Sequence, residues 1–376
     1  MHCTLSGRTV SAGLLIAIGG MSVSAVGDDA PAGWRKTEAA HYLDERAKTW
    51  LAFADAGRGE ESTKTQCVSC HTISPYALAR PALRKLTGAE QPTEIETRLV
   101  EQTKLRVANW DRLDSPPFRL LYDFDEPKKR ESWGTEAVLN AVILAFDDRS
   151  HDRSAPGDST RTALANMWRA QSSEGEHKGS WEWLNFGLEP WESPGARYFG
   201  AALAAIAVGT APGYYAPGAD PDVDQRVGLL RSYLIDHVAE QNLFNRIWLL
   251  WASHGLDGLA TQDQRRTMIA ELLEKQQSDG GWRLASLGAF TRRDGSPQNE
   301  SSDGYATGLV LHVLQTTGVP KTDARIGRGL YWLRTNQEPS GEWRTSSLNK
   351  KRDPATHTGR LMSDAATAYA ILALSH

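Results

Sequence analysis

Cysteine is scarce in this chain. There are three, and Cys3 lies in an N-terminal segment that reads as a removable leader, which leaves Cys67 and Cys70. Two cysteines in an exported protein of this length are not a disulfide scaffold. Long apolar runs are also lacking. The best, residues 10–23, is broken by glycine and falls short of the ~20 residues of a membrane span. Charge of one sign is lacking too: the formal net charge is -4, so no basic field favours nucleic acid or anionic lipid. No region shows the sustained alternation of a β-strand.

What is present begins with that leader. Arg8, the apolar stretch after it and Val23-Ser24-Ala25 have the form of a secretory signal with a small-residue cleavage site. The sequence therefore divides into a signal peptide at 1–25, a linker at 26–36 and a single body at 37–376. The mature chain is expected outside the cytoplasm, in the periplasm or beyond, with no integral span once the leader is removed.

The body resolves into paired helices. Amphipathic members fall at 37–54, 93–109, 159–171, 222–238, 261–277 and 323–337. Each precedes a member that is apolar nearly all round, at 75–86, 134–146, 196–208, 242–253, 303–316 and 364–374. Thr261 with Gln264 has the form of a capping box, and Ser302 and Ser363 stand where N-caps belong. A helix without a polar face, such as the one containing Gly308 to Leu314, is buried. Six pairs of an outer and an inner helix predict an all-α fold, an α/α toroid closed on itself, with an open solenoid as the competing arrangement.

A repeat marks the pairs. Gln276, Gly280 and Trp282 recur as Gln337, Gly341 and Trp343, with the tryptophans 61 residues apart (343 − 282). Each is followed by an aspartate expected to open an apolar helix, Asp303 or Asp364. A degraded copy runs from Gln171 and Gly175 to Trp181. The glutamine can bond the backbone of the following turn, the glycine permits that turn, and the tryptophan stacks on the next repeat. These motifs, together with Trp183 to Glu192, Tyr198 to Ala202 and Asp303 to Thr307, resemble the QW repeats of squalene-hopene-cyclase-like proteins and the terpenoid cyclase and prenyltransferase toroids. The resemblance implies the toroid. It does not imply cyclisation, because the D-x-D-D acid motif of class II cyclases is absent. Asp220-Pro221-Asp222-Val223-Asp224 reads as a helix cap.

Cys67-Val68-Ser69-Cys70-His71 is a C-x-x-C-H motif. Two thiols at that spacing can add to the vinyl groups of one haem while the histidine binds its iron, so the motif predicts one covalent haem c. A short-loop disulfide is the plainest competitor. No methionine lies between His71 and Met167, so either the haem is five-coordinate or its second axial ligand comes from elsewhere in the ring. In a closed ring the last pair adjoins the first, which makes His357 and Met362 the candidates and His177 a lesser one. The function expected on this reading is an exported c-type haem protein that transfers electrons to an unidentified redox partner. The alternatives are an enzyme acting on a triterpenoid or other apolar small molecule in the toroid cavity, lined by Trp133, Trp183, Trp191 and Tyr305, or a non-catalytic interaction scaffold.

Overall fold

A computed structural model describes residues 33–376. The signal peptide and most of the linker lie outside the described residues. Among the described residues twelve α-helices make up six pairs. The outer members are α1 (Lys36–Ala52), α3 (Glu94–Ala108), α5 (Asp158–Arg169), α7 (Pro221–His237), α9 (Gln262–Glu274) and α11 (Ala324–Thr335). The inner members are α2 (Ile73–Thr87), α4 (Glu126–Ser150), α6 (Ala196–Thr210), α8 (Leu243–Gly255), α10 (Gly304–Thr316) and α12 (His357–Leu374). One short antiparallel hairpin, β1 (Gly57–Arg58) with β2 (Thr65–Gln66), sits in the loop after α1.

Burial separates the two classes as their patterns require. Every residue of α10 from Gly304 to Leu314 is buried, whereas α7 buries only Val227, Leu230, Tyr233 and Leu234 along one stripe. The inner helices touch in the order α2, α4, α6, α8, α10 and α12, and α12 packs back on α2. The ring is closed, and the fold is an all-α toroid. All the long connections, at 53–72, 109–125, 170–195, 275–303 and 336–356, lie at the mouth where the inner helices begin.

The repeats are clamps between neighbouring pairs. Gln276 Nε2 donates to the carbonyls of Gly280 (2.8 Å) and of Arg325 (2.7 Å), and Trp282 Nε1 donates to Leu272 O at 2.7 Å. Gln337 does the same with Gly341 O (2.9 Å) and Arg35 O (3.0 Å), and Trp343 with Leu333 O (2.8 Å). The degraded copy works too, through Gln171, Trp181 and a different glycine: its turn is Gly179, at φ +95°, and not Gly175. A Cβ at Gly341, at φ +101°, would overlap the backbone of Glu38. The Gln337 clamp joins the last pair to the first, since Arg35 N donates in return to Gln337 Oε1 at 2.7 Å. Gln337→Ala is expected to cost about 1–3 kcal/mol by stranding these groups, readable as a lowered urea midpoint at unchanged slope.

Helix starts depart from the sequence reading in three places. α4 begins at Glu126, capped by Asp125. Asp303, not Ser302, caps α10 and accepts from Ala306 N at 3.0 Å. α12 starts at His357, capped by Thr356, so Ser363 and Asp364 lie inside it. The Thr261–Gln264 capping box is present at 2.8 and 3.1 Å. Asp220 caps α7, as its position suggested.

Candidate functional site

At the end where the inner helices begin, the bore of the ring is filled, and a cavity of about 390 Å³ opens at the opposite end, between Phe146, Ile206, Trp251 and His312. Phe199 of α6, Phe244 and Trp248 of α8, Tyr305 of α10 and Tyr369 of α12 meet edge-on, tilted or, for Phe244 with Tyr305, stacked, with ring centroids 4.9–6.4 Å apart. Trp183 and Trp191 from the loop before α6 cap this plug, and Trp191 Nε1 donates to Tyr305 Oη at 3.2 Å. These side chains are at most 7% exposed. The expected cavity-lining residues Trp183, Trp191 and Tyr305 therefore fill the ring. Trp133 packs against Trp110 at 4.5 Å.

Above the plug, at the mouth with the long loops, lies a cavity of about 150 Å³ lined by Trp50, Phe53, Asp55, Cys67, Cys70, His71, Tyr122 and Glu192, among others. Ring closure brings the ends of the chain together here. Arg46 of α1 grips Asp364 of α12 through Nε (2.7 Å) and Nη2 (3.0 Å), and Tyr42 Oη donates to the same carboxylate at 3.0 Å. Thr72 Oγ1 donates to Asp364 Oδ2 at 2.7 Å, so its lone pair is left to accept from His71 Nδ1, 2.8 Å away. That network assigns the proton of His71 to Nδ1 and leaves Nε2 as an acceptor. Burial, with help from His357, Arg46 and Arg352, lowers the His71 pKa to about 3, so the ring is neutral.

Glu192 is the other distinctive group. No hydrogen bond from the described residues reaches its carboxyl oxygens. Burial raises its pKa to about 7, which the nearby Lys128 only partly offsets. A carboxyl at that value is half protonated at neutral pH. Asp55 stands exposed at the rim of the same cavity.

The C-x-x-C-H motif lies in this wall, and the structure corrects the function drawn from it. Cys67 and Cys70 are 8% and 7% exposed, and burial pushes the Cys67 thiol up to about 12 and Cys70 well above its ordinary value. His71 is wedged edge-on against Trp50 at 4.7 Å. The adjoining cavity has the volume of about five waters at roughly 30 Å³ each, whereas sites for organic cofactors run to roughly 300–1,000 Å³. A flat macrocycle spanning both thiols does not fit. Among the described residues no group of three or more His, Cys, Asp or Glu is placed to hold a metal ion. The expectation of a haem- and iron-binding cytochrome c that transfers electrons to a redox partner is thereby overturned.

The proposed ligands fall in different places. His357 does come to His71's neighbourhood: its ring stacks near Trp50 (6.1 Å) and Phe53 (5.0 Å), and Nδ1 faces Arg46 Nη1 at 3.3 Å. Met362 is buried within α12, and His177 is exposed on its loop. Glu192 was missed as a functional residue. Its only signal in the sequence is a carboxylate next to Trp191 in a loop otherwise rich in aromatics.

No family model matches the chain, and no curated protein matches it. Solved structures share the fold. An α-1,6-mannanase from Salegentibacter sp. superposes with a TM-score of 0.52 at 10% identity, over 90% of this chain and 100% of that one. An inactive variant of that mannanase, in complex with α-1,6-mannotriose, gives the same values. An unsaturated glucuronyl hydrolase from Streptococcus agalactiae reaches 0.47 at 13% identity, over 92% and 93% of the two chains. At such identities the likeness is one of fold, and the fold it supports is the helical toroid; no terpenoid cyclase stands among these.

Proposed function

We propose that this chain is an acid–base enzyme that hydrolyses a polar, hydroxyl-rich substrate, a glycoside, at the cavity above the aromatic plug. Glu192 carries the reading, as an unbonded carboxyl whose environment keeps it a proton donor near neutral pH in a cavity that also contains a second carboxylate. Glycoside cleavage uses two such groups. Glu192 protonates the departing oxygen as its bond to carbon breaks. Asp55 takes a proton from the attacking water, and His71 Nε2 accepts a hydrogen bond that orients it. Trp50, Phe53 and Tyr122 supply aromatic walls for a sugar face. A cavity this small takes the reacting end of a substrate whose remainder lies along the open mouth. The enzyme alternative on this scaffold fits better than an electron carrier, and on this mouth the aromatic plug directs it to the rim. The leader implies that it works outside the cytoplasm. The mannan- and uronate-cleaving toroids make their sugars the first substrates to test.

The test is hydrolysis of a panel of 4-nitrophenyl glycosides and short oligosaccharides by the mature chain. Glu192→Gln is expected to lower kcat about 10²–10⁴-fold with the fold intact. The sign with pH follows from the raised value: the donor form prevails below about 7 and is lost above it, so the wild-type rate falls on the alkaline side through about pH 7. No turnover across the panel, or full activity in Glu192→Gln, defeats the proposal.

A further inference from the structure

A second cavity on the same mouth has a chemistry that the hydrolytic reading does not use. It is a cleft of about 380 Å³ between the 292–299 segment and the 345–359 segment, with Arg292, Lys351 and Arg352 in its walls and the hydroxyls of Ser296 and Ser346 beside them.

Arg292 is the unusual member. It is 8% exposed, yet no carboxylate pairs with it among the described residues. Its Nε donates to Ser347 O at 2.9 Å and its Nη1 to Pro297 O at 2.6 Å. Two carbonyls fix the plane of the guanidinium and leave its charge uncompensated. A buried charge without a counter-ion is costly, and proteins keep one where a ligand completes the pair. Among the described residues Lys351 and Arg352 have no carboxylate partner either. Two acids stand nearby. Asp353 accepts from Ala355 N through Oδ1 at 2.8 Å, and Asp294 is bonded to other groups. Its Oδ2 accepts from Lys351 N at 2.8 Å, and its Oδ1 accepts from Ser296 N at 3.1 Å and Ser296 Oγ at 2.6 Å. α12 adds the positive end of its dipole, since Gly359 of its first turn lines the cleft.

We propose that this cleft binds an oxyanion: the carboxylate, sulfate or phosphate group of a small molecule, seated on the free edge of Arg292 and closed over by Lys351 and Arg352. The planar fork of a guanidinium suits such groups because it can donate two parallel bonds. The binding site stands or falls without the hydrolytic turnover.

The test uses the intact mature chain and three probes: inorganic phosphate, sulfate and D-glucuronate. Calorimetry and amide chemical shifts of 292–299 and 345–359 report binding. Each probe that binds is expected to shift those amides, and affinity should fall at least about fivefold as salt rises from roughly 50 to 500 mM. The double substitution Lys351→Ser with Arg352→Ser changes residues that hold no ion pair and should weaken binding about tenfold or more. Arg292→Lys should fall between the two, keeping the charge and losing the fork. A preference for glucuronate assigns a planar carboxylate, and a preference for phosphate or sulfate assigns a tetrahedral group. If none of the three moves those amides, or if the double variant binds as tightly as wild type, the site does not exist.

Discussion

Glu136→Ala is expected to destabilise the protein by about 3–5 kcal/mol. Glu136 of α4 is 0% exposed and Arg106 of α3 is 1% exposed. They form a two-point ion pair, with Nη2 to Oε2 at 2.7 Å and Nε bonded to Oε1. Arg106 also donates to Thr65 Oγ1 and Arg119 O, both at 3.0 Å, which ties β2 and the loop before α4 to the pair. Removing the carboxylate leaves a guanidinium in the interior with neutral partners only. Replacing both members by apolar residues of similar size, Arg106→Met with Glu136→Leu, should recover most of the loss, because the desolvation cost of both charges disappears together. Urea unfolding of the three variants gives the comparison. A loss under about 1 kcal/mol in Glu136→Ala would show that water reaches the pair.

Trp343→Ala carries a loss of similar size, about 3–5 kcal/mol, for a different reason. Trp343 is fully buried where the last pair meets the first. Its ring lies 5.8 Å from that of Trp34, its Nε1 donates to Leu333 O, and its backbone N donates to Thr367 Oγ1 at 3.1 Å. The void falls at the seam that closes the ring. Trp282→Ala makes a void of the same kind inside the ring, against Leu272. The two should therefore cost alike in unfolding free energy and differ in hydrogen exchange. Trp343→Ala is expected to expose α1, and Trp282→Ala to leave it protected. Equal exchange of α1 in both variants would mean that the seam is no weaker than any other joint.

The paired architecture was legible because it rests on pattern. An inner helix such as α10 is apolar on every side, and an outer one such as α7 has a single apolar stripe, so each segment states its own burial. The clamps were legible for a related reason, since Gln, Gly and Trp at fixed offsets do a local job. Proximity of His357 to His71 followed from closure alone. Room was not legible. Five residues in a row carry the chemistry for grasping a porphyrin, but whether the porphyrin fits depends on Trp50, Tyr122 and Leu184, which arrive from three other segments. The state of Glu192 was hidden likewise, because its raised pKa comes from burial by loops distant in sequence. The Arg106–Glu136 pair did leave a trace: a lone acid in a stretch of α4 that is apolar but for Asn140 one turn on.

The handshake between Arg35 and Gln337 spans 302 positions along the chain. A polypeptide emerging at about 5–20 residues per second needs roughly 15–60 s to produce the second hand after the first. During that interval α1 has an unclaimed flank, and so does each nascent pair in turn. The toroid is thus completed only from its far end, and helpers that shield half-built rings have their task set by this one late contact.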